Sequence, residues 1–140
     1  MAGKGGFSVA MLCRIVGIED QTYGDWRNKR LVSPFPKPLT ERNALELAVV
    51  ALLNRELRRP MDFDMVCTRL RGKLTDRLRK GQVVVVCHLA DNDAELCFDD
   101  AEVGRAVSHG REVRAIRVDV EIARVLEAFR RQVARLAEQE

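Results

Sequence analysis

The side chains best suited to hold a metal or attack a substrate are few in this chain. There are four cysteines, at 13, 67, 87 and 97, and two histidines, at 88 and 109. No two cysteines stand as C-x-x-C, which removes the redox motif and the zinc ribbon. Cys87, His88, Cys97 and His109 match no standard zinc spacing, and cysteines so placed read as small buried hydrophobes. The chain has no glycine-rich nucleotide loop and no Ser, His and Asp at usable spacing. It is expected to be no enzyme and to hold neither metal nor cofactor. Polar side chains of another kind are better placed. Gln21, Thr22, Asp25 and Asn28 fall along a short helix, and several of them carry groups able to read a base edge. Gln bonds adenine bidentately, Thr touches a thymine methyl, and Asp accepts from cytosine N4. Arg27, Lys29, Arg30, Lys37 and Arg42 surround them as phosphate-positioning cations would.

Such residues need a rigid carrier, and residues 7–39 supply one. Ser8 is a helix cap, and Val9, Leu12, Cys13 and Val16 fall at i, i+3, i+4 and i+7. Gly17 suits a left-handed helix end and Ile18 an anchor after it. A second helix is predicted over 20–30, stopped by Leu31-Val32-Ser33-Pro34. Tyr23 and Trp26 either pack its inner face or reach the backbone of a bound duplex; for Tyr23 the core is the favoured reading. Two helices joined by a short Gly-containing turn are the helix-turn-helix layout.

The segment Gly17-Ile18-Glu19-Asp20-Gln21-Thr22-Tyr23-Gly24-Asp25-Trp26-Arg27-Asn28-Lys29-Arg30-Leu31-Val32 resembles the second helix of MerR-type winged-helix regulators. Gly17, Ile18, Thr22, Trp26, Leu31 and Val32 carry the likeness. Phe35-Pro36-Lys37-Pro38 is similar to the stretch after the recognition helix in phage excisionase and AlpA-type regulators, and small-terminase heads are similar too. The resemblance covers about the first half of the chain. It implies a winged helix-turn-helix that binds DNA. The chain departs from it where Gly24 replaces a mid-helix Arg and Asp25 an aromatic residue, and where Glu19 replaces a Ser or Thr cap.

The prolines at 34, 36 and 38 predict an extended loop where a wing would lie. Thr40 caps a third helix, apolar almost all round and expected to reach Arg59, where Pro60 ends it. Asp62 is expected to cap a fourth helix from Phe63 towards Arg71. The basic run Arg69, Arg71, Lys73, Arg77, Arg79 and Lys80 follows, read first as the polar face of an amphipathic helix and second as a phosphate surface. Residues 82–89 are a β-branched buried strand, 95–98 a second strand after an Asp91-Asn92-Asp93 turn, and 113–118 a third. A helix capped by Asp99 runs to Ser108. A last helix, capped by Asp119, covers 120–138. Its Ile122, Leu126, Phe129, Val133 and Leu136 repeat every 4 and 3 residues, a heptad seam expected at a homodimer interface.

The expected fold is α+β: a disordered tail (1–6), a helical winged-helix head (7–80), and a small dimerising domain (81–140) with a three-stranded sheet and two helices. Residues 1–81 hold 16 Lys/Arg against 9 Asp/Glu, and residues 82–140 hold 8 Arg against 12 Asp/Glu, which together give the chain's net +3. A basic front and an acidic back suit a nucleic-acid head with a separate tail. No apolar run approaches the roughly 20 residues that span a bilayer, and the N-terminus lacks a signal-peptide h-region, so a cytoplasmic protein is expected. The expected function is a bacterial or phage transcriptional regulator that binds double-stranded DNA as a homodimer, with no effector indicated. The alternatives are a phage packaging or recombination-directionality factor with the same head, or a protein–protein anti-activator module that has lost DNA binding.

Overall fold

The computed structural model describes residues 7–36, 39–79, 81–108 and 110–139. The expected tail 1–6, the phosphate candidate Lys37, and His109 lie outside the described residues. Helix α1, Val9–Val16, opens where the Ser8 hydroxyl accepts the Met11 N–H at 3.2 Å. It closes at Gly17, whose φ of 92° lets the amides of Gly17 and Ile18 both donate to the Cys13 carbonyl, at 2.8 and 2.9 Å. A side chain at that φ would strain the backbone. Helix α2, Asp20–Asn28, follows at once, with Glu19 at its N-cap and no side-chain cap bond. Arg30 takes a left-handed φ of 62°, and the Leu31 amide then donates to the Trp26 carbonyl at 2.9 Å. That turn sends Leu31 and Val32 into the core.

Helix α3, Glu41–Glu56, is held at its start by a reciprocal cap. Thr40 N–H donates to Asn43 Oδ1 at 2.8 Å, while the Thr40 hydroxyl accepts from Asn43 N–H. Its residues are apolar on every side because every side is covered: Leu45, Leu47, Val49, Val50 and Leu53 are all buried. The helix stops three residues short of the expected Arg59. Pro60 does not merely end it but opens helix α4, Pro60–Leu70, at the first helical position. Proline suits that place because the amide it lacks has no partner there in any helix. Asp62 therefore lies inside the first turn rather than capping it, and Arg59 Nε donates to its carboxylate at 2.8 Å. Residues 33–36 and 39–40 form neither helix nor strand. After α4 the chain makes a 3₁₀ turn at Asp76–Arg79, with Leu74 and Leu78 buried.

Three antiparallel strands follow: β1, Val84–His88; β2, Asp93–Cys97; and β3, Val113–Arg117. Their order is β2-β1-β3, so β1 is central, with Val85 opposite both Leu96 and Ile116. The unbroken β-branched run is explained by burial on both faces. Val85 and Cys87 join the main core, while Val84 and Val86 form a small second core with Cys97 and Ala106 of helix α5, Asp100–Ser108. The α5 cap is as expected, with Asp99 Oδ1 accepting the Glu102 amide at 2.8 Å.

Helix α6, Asp119–Glu138, departs from its expected surroundings. Asp119 is its first residue and caps nothing. Its carboxylate accepts from the Val83 amide at 3.2 Å and from Arg117 Nε at 3.0 Å, tying β3 and α6 to the start of β1. The helix packs chiefly on α3, with α1 beside it. Ile122, Leu126 and Phe129 of the heptad seam, with Val125, are buried inside the chain, and the Phe129 ring centroid is 4.5 Å from that of Phe7. These three seam residues pack into the chain's own core. Of the expected interface, Val133 is 42% exposed and Leu136 half-buried. One cluster, from Phe7 to Phe129, takes side chains from both sides of residue 81, so the expected head and tail share a core. Among the described residues the architecture is α+β, six α-helices and one three-stranded antiparallel sheet.

Candidate nucleic-acid interface

The two faces of α2 differ sharply. Tyr23 and Trp26, three apart, point inward. Tyr23 lies 5.1 Å from the Phe35 ring and Trp26 5.6 Å from Phe63 of α4, centroid to centroid. Burial pushes the Tyr23 phenol up, against a hydrogen bond with the Phe35 backbone and the charge of Arg27. Trp26 fastens the helix pair to α4, and Tyr23 fastens it to the loop behind. Gln21, Asp25 and Asn28 are exposed at i, i+4 and i+7, a single outward stripe, with Thr22 half-buried at its margin. At Gly24 an added Cβ would meet nothing within 4 Å, so no neighbouring element closes that side of the helix.

Arg27, Lys29 and Arg30 flank the stripe, all exposed, with the Arg27 guanidinium 6.0 Å from the Tyr23 ring centroid. None of the three makes an ion pair among the described residues, and the same holds for Arg42 near the start of α3. The expected site residues other than Lys37 thus fall on α2, on the turn that follows it at Lys29 and Arg30, and on the start of α3. Asp25 sets a carboxylate in the middle of the stripe, a feature that suits cytosine N4 and opposes phosphate.

The basic run after α4 does not act as one face. Arg69 Nε donates to the Asn92 carbonyl at 2.9 Å, and Arg77 stacks over Phe98 with its guanidinium carbon 3.9 Å from the ring centroid. Those two secure the β-hairpin. Arg71 and Lys73 stay exposed, and Arg71 lines a small cleft with Leu31, Ser33, Arg42 and Glu46. The density of positive charge over 69–80 was the one sequence signal for Arg71. Its adjacency to Arg42 is a product of the tertiary fold.

The four thiols are buried. Burial pushes Cys13 and Cys87 up to about 11, and Cys67 and Cys97 upward as well. Such thiols are poor nucleophiles near neutral pH. His88 Nε2 lies 2.7 Å from Glu95 Oε2, a cross-strand pair at the end of β1. Among the described residues no three His, Cys, Asp or Glu are grouped as metal ligands, and no helix is long and apolar enough to cross a membrane. No protein-family model, curated protein or solved structure matches the chain.

Proposed function

We propose that the chain binds duplex DNA, as a transcriptional regulator would, by laying the outer stripe of α2 in the major groove. In this reading α1, the Gly17 turn and α2 are a helix-turn-helix of MerR-like type, and the irregular stretches 33–36 and 39–40 stand in place of a wing. The observation that carries it is the division of α2: two aromatic residues buried against Phe35 and Phe63, and Gln21, Asp25 and Asn28 outward with unpaired cations around them. Gln21, nearest the helix start, reads adenine, and Asp25 and Asn28 read the next positions. Arg27, Lys29, Arg30 and Arg42 hold phosphates and set the register. One chain presents one such helix.

The test is a selected-site experiment followed by anisotropy titrations over a salt series. Affinity should fall steeply with salt, and Gln21→Ala should cost about 1–3 kcal/mol on the selected site and little on random duplex. Equal losses on both sequences would remove the base-reading role. The exposed Asp25 favours a second reading, a protein–protein module that keeps the head without DNA binding. Absence of any salt-dependent binding to duplex would decide for it.

A further inference from the structure

Three stretches distant in sequence meet beside the C-terminal end of α2. Leu31 and Ser33 come from the turn after it, Arg42 and Glu46 from the first turns of α3, and Arg71 and Gly72 from the end of α4. Together they line a cleft of about 60 Å³. That is far below the roughly 300–1,000 Å³ of small-molecule sites, and it fits a single small group. Leu53, Cys67 and Leu70 form the apolar floor, which leaves the charge at the mouth.

The charges there do not cancel. Glu46 is the one acid on the lining, and its Oε1 already accepts the Ser33 amide at 2.7 Å. Neither Arg42 nor Arg71 pairs with it or with any other carboxylate among the described residues. Gly72, at a φ of 80°, turns the chain immediately after Arg71. Two arginines that line one small cleft and pair with no carboxylate among the described residues suit an oxyanion. Lys29 and Arg30, two and one residues before Leu31, place the cleft at the edge of the α2 surface.

We propose that Arg42 and Arg71 clamp a single backbone phosphate of the duplex that α2 reads, a contact that rests on the DNA-binding reading above. Phosphate contacts fix where a recognition helix sits. One clamp past the C-terminal end of α2 would fix its angle in the groove, through a residue supplied by α4.

Counterion release tests the clamp and separates it from independent contacts. Each phosphate neutralised on B-DNA contributes about 0.9 to the slope of log affinity against log salt. Two arginines on one phosphate should therefore count once. Full-length wild type, Arg42→Gln, Arg71→Gln and the double variant would be titrated with a labelled random 30-base-pair duplex from 50 to 200 mM salt, with circular dichroism melts to confirm folding. Both residues are exposed, so the variants should fold. Either single change leaves one arginine on the phosphate and should lower the slope by less than about 0.9, and the double change should lower it by about 0.9. Over that salt range the wild type should lose about 3.5-fold more affinity than the double variant. Arg111→Gln, exposed before β3, should keep the wild-type slope. A double variant with the wild-type slope would overturn the clamp. So would a drop about twice as large, which would assign the arginines to separate phosphates. A wild type without salt-dependent duplex binding would overturn the DNA-binding reading itself, and the clamp with it.

Discussion

Helices α2 and α6 both turn arginines towards solvent, yet the two sets are in different states. On α6, Arg130 grips Glu41 of α3 through two bonds, at 2.6 and 2.9 Å. Arg124 bonds Glu121 and also donates to the Ile15 carbonyl of α1 at 3.2 Å, and Arg131 pairs with Glu127. These arginines fasten α6 to α1 and α3, or to itself. At the end of α2 and in the turn after it, Arg27, Lys29 and Arg30 have no carboxylate to hold among the described residues. Arginine content alone does not mark a binding surface, and the proposed one rests on cations that hold no carboxylate among the described residues. Acidic residues outnumber arginines in the back of the chain, where most arginines find partners, and fall short of the basic residues in the front.

The comparison breaks first if the buried side of α6 proves not to be core. Phe129→Ala removes a ring packed on Phe7 and should cost about 3–5 kcal/mol, read as a large drop in the urea midpoint. Asn28→Ala, on the outer stripe of α2, should stay within about 0.5 kcal/mol. A Phe129 variant as stable as wild type would return that face of α6 to a partner. A crossed test comes next. Changing Arg27, Lys29 and Arg30 together to Gln should leave stability within about 0.5 kcal/mol and reduce the DNA salt slope by up to about 2.7. Arg130→Gln should do the reverse, lowering stability slightly with the slope unchanged. If Arg130 alters the slope and the α2 set alters stability, the two arginine classes have been assigned the wrong way round.

Much of this arrangement was legible because it is local. Ser8, Gly17, Thr40 and Asp99 mark helix ends through short-range bonds, and β1 declares itself by Val83 to Val86. The misread parts depend on a partner that the pattern does not name. The spacing of Ile122, Leu126 and Phe129 says that a face is covered, and α3 covers it. The all-round apolarity of α3 already implied several neighbours, and α6 is one of them. Pro60 stops one helix and starts another because proline disfavours the residue before it and suits a first turn. The site shows the same limit. Gln21, Asp25 and Asn28 follow from helical spacing, whereas Arg71 reaches Arg42 only through the packing of α4 on α3.

The smallest expected effect concerns what the spent arginines contribute, and it is read by pH. Glu121, near the start of α6, is held below the usual carboxylate range by its hydrogen bond from Arg124, against the cost of burial, with help from Arg55 at 3.6 Å. For Asp119, burial works in the opposite direction, but bonds from Arg117 and the Val83 amide outweigh it and its carboxyl is lowered too. A carboxyl lowered on folding stabilises the fold when ionised. Its contribution is complete above the unfolded value, about 3.9 for Asp and 4.3 for Glu, and is lost as pH falls through the lower folded value. Stability should therefore hold at pH 6 and decline below about pH 4. The arginines are about half exposed, so the share owed to Glu121 is expected at about 0.2–1 kcal/mol. Urea midpoints from pH 6 to pH 3 would measure it. Glu121→Gln should lower the pH 6 midpoint and flatten the decline, because Gln has no proton to gain. Arg27→Gln should leave the decline as in wild type, since Arg27 holds no carboxylate among the described residues. If Arg27→Gln flattened the acid decline as Glu121→Gln does, the α2 arginines would be structural after all, and the distinction between the two helices would be lost.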